Sequence, residues 1–161
     1  MKRILSILPV LAACAFANGV AAQGMDLGPD QEYKLKAAFL FNFLKFVQWP
    51  AEVADGTNAC TIAVVGKDPF GTILDATMAN KTVRGRTIRV VRYADVTRLV
   101  QAGETVQVLY VGAGDKSQLD AAIRAVAGTN ALTVGESPDF CDQGGVIGFR
   151  TLDNRVRFDV N

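Results

Sequence analysis

The chain has 161 residues, half of them apolar, with 17 Lys and Arg against 16 Asp and Glu and no histidine at all. A net charge of +1 offers no basic field to nucleic acid or acidic lipid. The missing histidine also removes the usual base of nucleophilic triads and a principal nitrogen ligand of zinc.

The first segment, MKRILSILPVLAACAFANGVAAQ, places Lys2 and Arg3 ahead of an apolar run from Ile4 to Ala17, with Val20-Ala21-Ala22 before Gln23. That is the layout of a secretory signal peptide over residues 1–22, which leaves one domain over 23–161. Leu11-Ala12-Ala13-Cys14 offers a second reading, a lipoprotein box in which Cys14 is acylated and the protein is lipid-anchored. Loss of residues 1–22 removes Lys2 and Arg3, so 15 basic residues face 16 acidic ones.

From Tyr33 to Pro50 the chain reads YKLKAAFLFNFLKFVQWP, and at helical spacing Lys34, Asn42, Lys45 and Gln48 share one narrow polar stripe. The spacing predicts a long helix that starts near Gly28-Pro29, ends at Pro50 and is buried on nearly every side. Its lysines exclude a membrane span. Phe39, Phe43, Phe46 and Trp49 are assigned to the core.

Ala51 to Ala59 is a polar connection. Cys60 to Val65 reads as a strand, and Asp68-Pro69 opens a helix to about Ala79. Asn80 to Arg86 is a basic loop, followed by an alternating strand over Thr87 to Tyr93. Asp95 caps a short helix to Gln101 that Gly103 closes. Val106 to Val111 is a nearly continuous β-forming run, which places it centrally in a sheet covered on both faces. A helix over about Lys116 to Ala127 and a strand over Asn130 to Val134 follow. Strands alternating with helices imply a mainly parallel sheet with helices on both faces. From Gly144 the pattern changes to a β-hairpin about a four-residue turn at Thr151 to Asn154.

Chemistry is scarce along this chain. Ser117 and Ser137 lie in no nucleophile elbow. Gly112-x-Gly114 sits between strand and helix but lacks the third glycine of a dinucleotide site, and Gly66 to Gly71 is no Walker loop. Glu136, Asp139 and Asp142 match no EF-hand, so no metal and no cofactor is assigned. Arg150, Arg155 and Arg157 gather on the hairpin, and with Phe140 they are the candidate partner-binding residues, since interfaces favour arginine and aromatic anchors. Cys60 and Cys141 remain after signal removal, and a Cys60–Cys141 disulfide and two unpaired thiols both stay open.

With these residues laid out, the chain resembles the YfiR-like family of periplasmic regulators. The resemblance rests on Tyr33, Lys36-Ala37, Asn42-Phe43, Phe46 and Trp49-Pro50, then Cys60-x-Ile62, Val64, Gly66 and Asp68-Pro69-Phe70-Gly71. It continues through Gly85-Arg86, Ile88, Val108-Leu109-Tyr110, Leu132-Thr133-Val134, Phe140, Gly144-Gly145-x-Ile147, Asn154, Phe158 and Asn161. It implies a three-layer, Rossmann-like α/β sandwich that performs no catalysis. It also implies a repressor that binds the periplasmic part of an inner-membrane diguanylate cyclase or sensor, so controlling cyclic di-GMP and biofilm formation. An outer-membrane lipoprotein is a second implied partner, and a homodimer is open. Family members commonly continue into a C-terminal helix beyond the position of Asn161 and often carry further cysteines forming two bridges; here Val106 and Gly148 stand in those regions. A small-molecule sensor with its crevice near Gly66 and Gly112 is the alternative function.

Overall fold

The computed structural model describes residues 28–50, 59–112, 114 and 116–161. The signal segment with Cys14 and the polar connection at 51–58 lie outside them. Helix α1 (Pro29–Phe46) leads into β1 (Ala59–Val65), α2 (Thr72–Met78), β2 (Thr82–Val83) and β3 (Arg86–Tyr93). Then come α3 (Val96–Ala102), β4 (Val108–Val111), α4 (Lys116–Ala125), β5 (Leu132–Gly135), β6 (Ile147–Leu152) and β7 (Arg155–Val160).

One seven-stranded sheet has the order β2-β3-β1-β4-β5-β6-β7. The pairs β3-β1, β1-β4, β4-β5 and β5-β6 are parallel, and β2-β3 and β6-β7 are antiparallel. The apolar run of β4 occupies the middle of the sheet, and all four of its residues are buried. Ala37, Leu40 and Leu44 of α1, with Leu74 and Met78 of α2, pack on Cys60, Ile62, Val64, Val108, Tyr110, Val134 and Phe149. On the other face Leu99 of α3 and Leu119 and Ala122 of α4 cover Ala63, Val65, Leu109 and Val111. The result is the expected three-layer α/β sandwich with a C-terminal hairpin.

Several local expectations are corrected. Helix α1 ends at Phe46 rather than Pro50, because Val47 turns extended and the Trp49 indole folds back to donate its Nε1 hydrogen to the Leu44 carbonyl at 3.1 Å. One otherwise orphaned C-terminal carbonyl is thereby satisfied and the indole is buried. Nor is α1 buried all round. Phe46 is 71% exposed and Leu35 39%, since α1 lies on one face of the sheet with α2 beside it and its outer side open. The basic loop before β3 contains the short strand β2, in register with β3 through Thr82–Thr87 and Val83–Arg86. The hairpin turn has two residues, Asp153 and Asn154, with φ of 50° and 56°; both are left-handed, as in a type I′ turn whose twist matches the strands.

Candidate functional site

Lys36, placed off the polar stripe by the helical spacing, is the most deeply buried charge among the described residues. Its Nζ lies 2.5 Å from Glu32 Oε1 and pairs also with Glu136 Oε2, just beyond the end of β5. Tyr33 donates its hydroxyl to Glu136 at 3.2 Å, and Thr151 of β6 donates to Glu32 at 2.8 Å. Burial alone would lower the Lys36 pKa, but hydrogen bonds to Glu136 and Glu32 outweigh it and hold the ammonium above its ordinary value. Burial likewise opposes ionisation of Glu32, yet the bonds from Lys36 and Thr151 bring its carboxyl below the usual range. The neighbouring Tyr110 hydroxyl has no hydrogen bond of good geometry among the described residues, and burial first and Glu136 second push its pKa far up. A lysine held charged is neither a base nor a Schiff-base nucleophile. This cluster latches α1 to β5 and to the hairpin.

The Asp68-Pro69-Phe70-Gly71 turn is equally structural. Asp68 Oδ1 accepts the Phe70 amide hydrogen at 2.8 Å and Oδ2 accepts from Arg92 Nε at 2.6 Å. Arg92 also donates to Asp75 and to the Gly71 carbonyl. Its guanidinium depresses the Asp75 carboxyl, and the turn fixes Phe70 edge-on against Tyr110.

At the carboxyl ends of β1 and β4 the two glycines serve chain closure. Gly66 donates its amide to Tyr93 O and Gly112 to Val65 O, at 3.0 and 2.8 Å. A Cβ on Gly112 would sit 1.9 Å from the Lys67 carbonyl oxygen. These amides are therefore engaged, not aimed at a phosphate. The crevice beside them measures about 160 Å³, whereas ligand sites typically span about 300–1,000 Å³. Glu136 is drawn into the Lys36 cluster, and among the described residues no three His, Cys, Asp or Glu side chains are grouped to hold a metal.

The four candidate partner residues part company here. Phe140 is 1% exposed, its ring held between Gly135 and Gly145, where a Cβ would come within 2.4 and 2.1 Å of ring carbons. It is a core plug and not an interface anchor. Arg150, Arg155 and Arg157 are brought together as expected. In the hairpin register Arg150 opposes Arg157 and Leu152 opposes Arg155, so all three arginines project from one face. The opposite face carries Phe149 and Phe158, which pack against Phe39 and Phe43 of α1. The apolar core on the arginine side is built on β1 and β4 and closed by Phe140, leaving the hairpin arginines exposed. Arg150 pairs diagonally with Asp159, while Arg155 and Arg157 have no ionic partner among the described residues. Next to them, Leu152 and, on the other face, Val160 are exposed apolar residues.

The Cys60–Cys141 bridge does not form, and both thiols are free. Cys60 lies on β1, and Cys141 lies beside Gly148 of β6, three strands away. At the usual strand spacing that is roughly 14 Å, against the Cα separation of about 4.4–6.8 Å that a disulfide tolerates.

A YfiR/HmsC-like family model (DUF4154) matches residues 33–161. The chain belongs to the YfiR/HmsC-like family. That family comprises periplasmic, non-enzymatic regulators of cyclic di-GMP signalling. Among the described residues of this YfiR/HmsC-like chain, no helix is long and apolar enough to cross a membrane. Much of the sequence that carries the family likeness, including Trp49, Asp68 to Gly71, Phe140 and Gly145, turns out to hold the fold together. The hairpin arginines and Phe46 on the outer side of α1 stay exposed outside that framework. Sequence reasoning missed the Lys36 cluster; the Glu32–Lys36 spacing was a visible cue, but Glu136 lies 100 residues from Lys36.

Proposed function

We propose that this protein binds the periplasmic domain of an inner-membrane diguanylate cyclase and holds it inactive, so restraining cyclic di-GMP and biofilm formation, with an outer-membrane lipoprotein able to sequester it. The family match over residues 33–161 carries the reading. The exposed, net-cationic hairpin face supports it, because unpaired arginines beside apolar Leu152 are the composition that protein interfaces favour. On this reading Arg150, Arg155 and Arg157 contact an acidic patch of the cyclase, and Phe140 only supports the strand beneath. Tagged protein used as bait on solubilised membranes recovers a diguanylate cyclase, and replacing all three arginines with Glu lowers that recovery by about tenfold or more while the thermal melt is unchanged. Equal recovery by a folded triple variant would remove the hairpin face from the interface.

A further inference from the structure

Strand β3 pairs along its whole length with β1, but on its other side β2 reaches only Arg86 and Thr87. Lys81, the residue that would come next opposite Ile88, is turned out of the ladder. Asn80 before it has a φ of 59°, and the Lys81 amide is spent on the Met78 carbonyl at 3.1 Å. The rest of the β3 edge is therefore open among the described residues, and an open edge is a template for another strand. The direction of its free groups follows from the ladder. Gly66 donates to the Tyr93 carbonyl, which sets Thr87, Arg89, Val91 and Tyr93 against β1 and turns the amides and carbonyls of Ile88 and Val90 outward.

Beside those groups lies a groove of about 440 Å³. Met78 and Ala79 form one wall, the half-buried side chains of Ile88 and Val90 form the floor, and Lys81 and Thr82 stand at one end. The charge around the groove is unbalanced. Arg89 is paired with Glu104, and Arg92 with Asp68 and Asp75, whereas the exposed Lys81 and Arg84 have no ionic partner among the described residues. Lys81 Nζ stands 4.9 Å over the Phe41 ring, which holds the ammonium at the groove end. Spare positive charge beside an unfilled edge favours an acidic occupant. We propose that the β3 edge takes an extended acidic segment of a partner protein as an added strand, antiparallel to β3 and in line with β2. Main-chain bonds to Ile88 and Val90 supply the pairing, and alternate β-branched side chains of the segment enter the groove. Carboxylates at its carboxyl end meet Lys81, with Arg84 adding to the same field. This edge lies across the sheet from the hairpin arginines, so the two surfaces are engaged separately.

A phage-displayed library of random octapeptides, panned on the purified protein, tests the assignment. Peptides that alternate β-branched residues and end in Asp or Glu are enriched, and a synthetic copy binds with a Kd on the order of tens of micromolar. Lys81→Glu weakens that binding by about tenfold, and added salt weakens it as well. The triple arginine-to-glutamate variant of the hairpin binds the peptide as wild type does, which separates this edge from the cyclase-binding face. Hydrogen exchange locates the site: the peptide protects the Ile88 and Val90 amides, which exchange readily in the free chain, while the Arg89 and Val91 amides are protected throughout. Enrichment of no acidic peptide, a Kd indifferent to Lys81→Glu, or protection that spares Ile88 and Val90 overturns the assignment.

Discussion

Lys36 decides how the first helix is tethered. Its side chain is 3% exposed, while Glu32 and Glu136 keep 22% and 18% of theirs, so the ammonium is desolvated and the carboxylates remain partly in contact with water. Removing one partner of a buried ion pair leaves the other charge uncompensated, which costs about 3–5 kcal/mol in a dry site; the partial hydration of the carboxylates here reduces that to about 2 kcal/mol for Lys36→Met. The sign of the pH dependence follows from the shifts. Glu32 has a folded pKa below the ordinary carboxylate value of about 4.5, so its contribution is fully present above that pH and is lost as pH falls through the lowered folded value. Chemical denaturation of wild type and variant at several pH values is expected to give the full gap at neutral pH and a shrinking gap in acid. A gap independent of pH would assign Lys36 to packing alone.

At the scale of elements the hairpin and the loop before it are the informative pieces. Cys141 Sγ lies 3.2 Å from where a Cβ on Gly148 would stand, close to the spacing between a Cβ and the far sulfur of a disulfide. The resemblance placed a family cysteine in this region, and the geometry accommodates it: Gly148→Cys is expected to bridge to Cys141 on oxidation. Closing so short a loop stabilises by about 2 kcal/mol, to be read as the difference in unfolding free energy between oxidised and reduced variant. A variant that keeps two titratable thiols in this pair after mild oxidation would contradict the placement. The elements differed in how readable they were. The β4 run, the Asp95 cap and the alternation of the hairpin were plain because local period and local chemistry agree with the fold there. The extent of α1 was not, since its aromatic residues are as apolar on the open side as on the packed one, and only the sheet beneath decides which are covered. Strand β2 has two residues and no period to read. Phe140 reads as an interface anchor from its aromatic type alone, because the two glycines that seat its ring approach it only in the folded chain.

For the whole molecule, the family motifs lie in the framework and the hairpin arginines on its surface. The motifs that announce the family tie turns, caps and glycine contacts inside the sandwich, while the hairpin arginines stand exposed at one side of the sheet, with Arg150 paired to Asp159. That division explains why the arginines were legible as a cluster from the sequence, by strand alternation alone, whereas their setting, an uncovered face backed by a Phe cluster on α1, required the strand order. The most direct test of the central claim is intracellular cyclic di-GMP, measured in a strain lacking the gene and in the same strain complemented with wild type or with the triple arginine-to-glutamate variant. The account predicts a rise on deletion that wild type reverses and the folded variant does not. Unchanged cyclic di-GMP on deletion would contradict it.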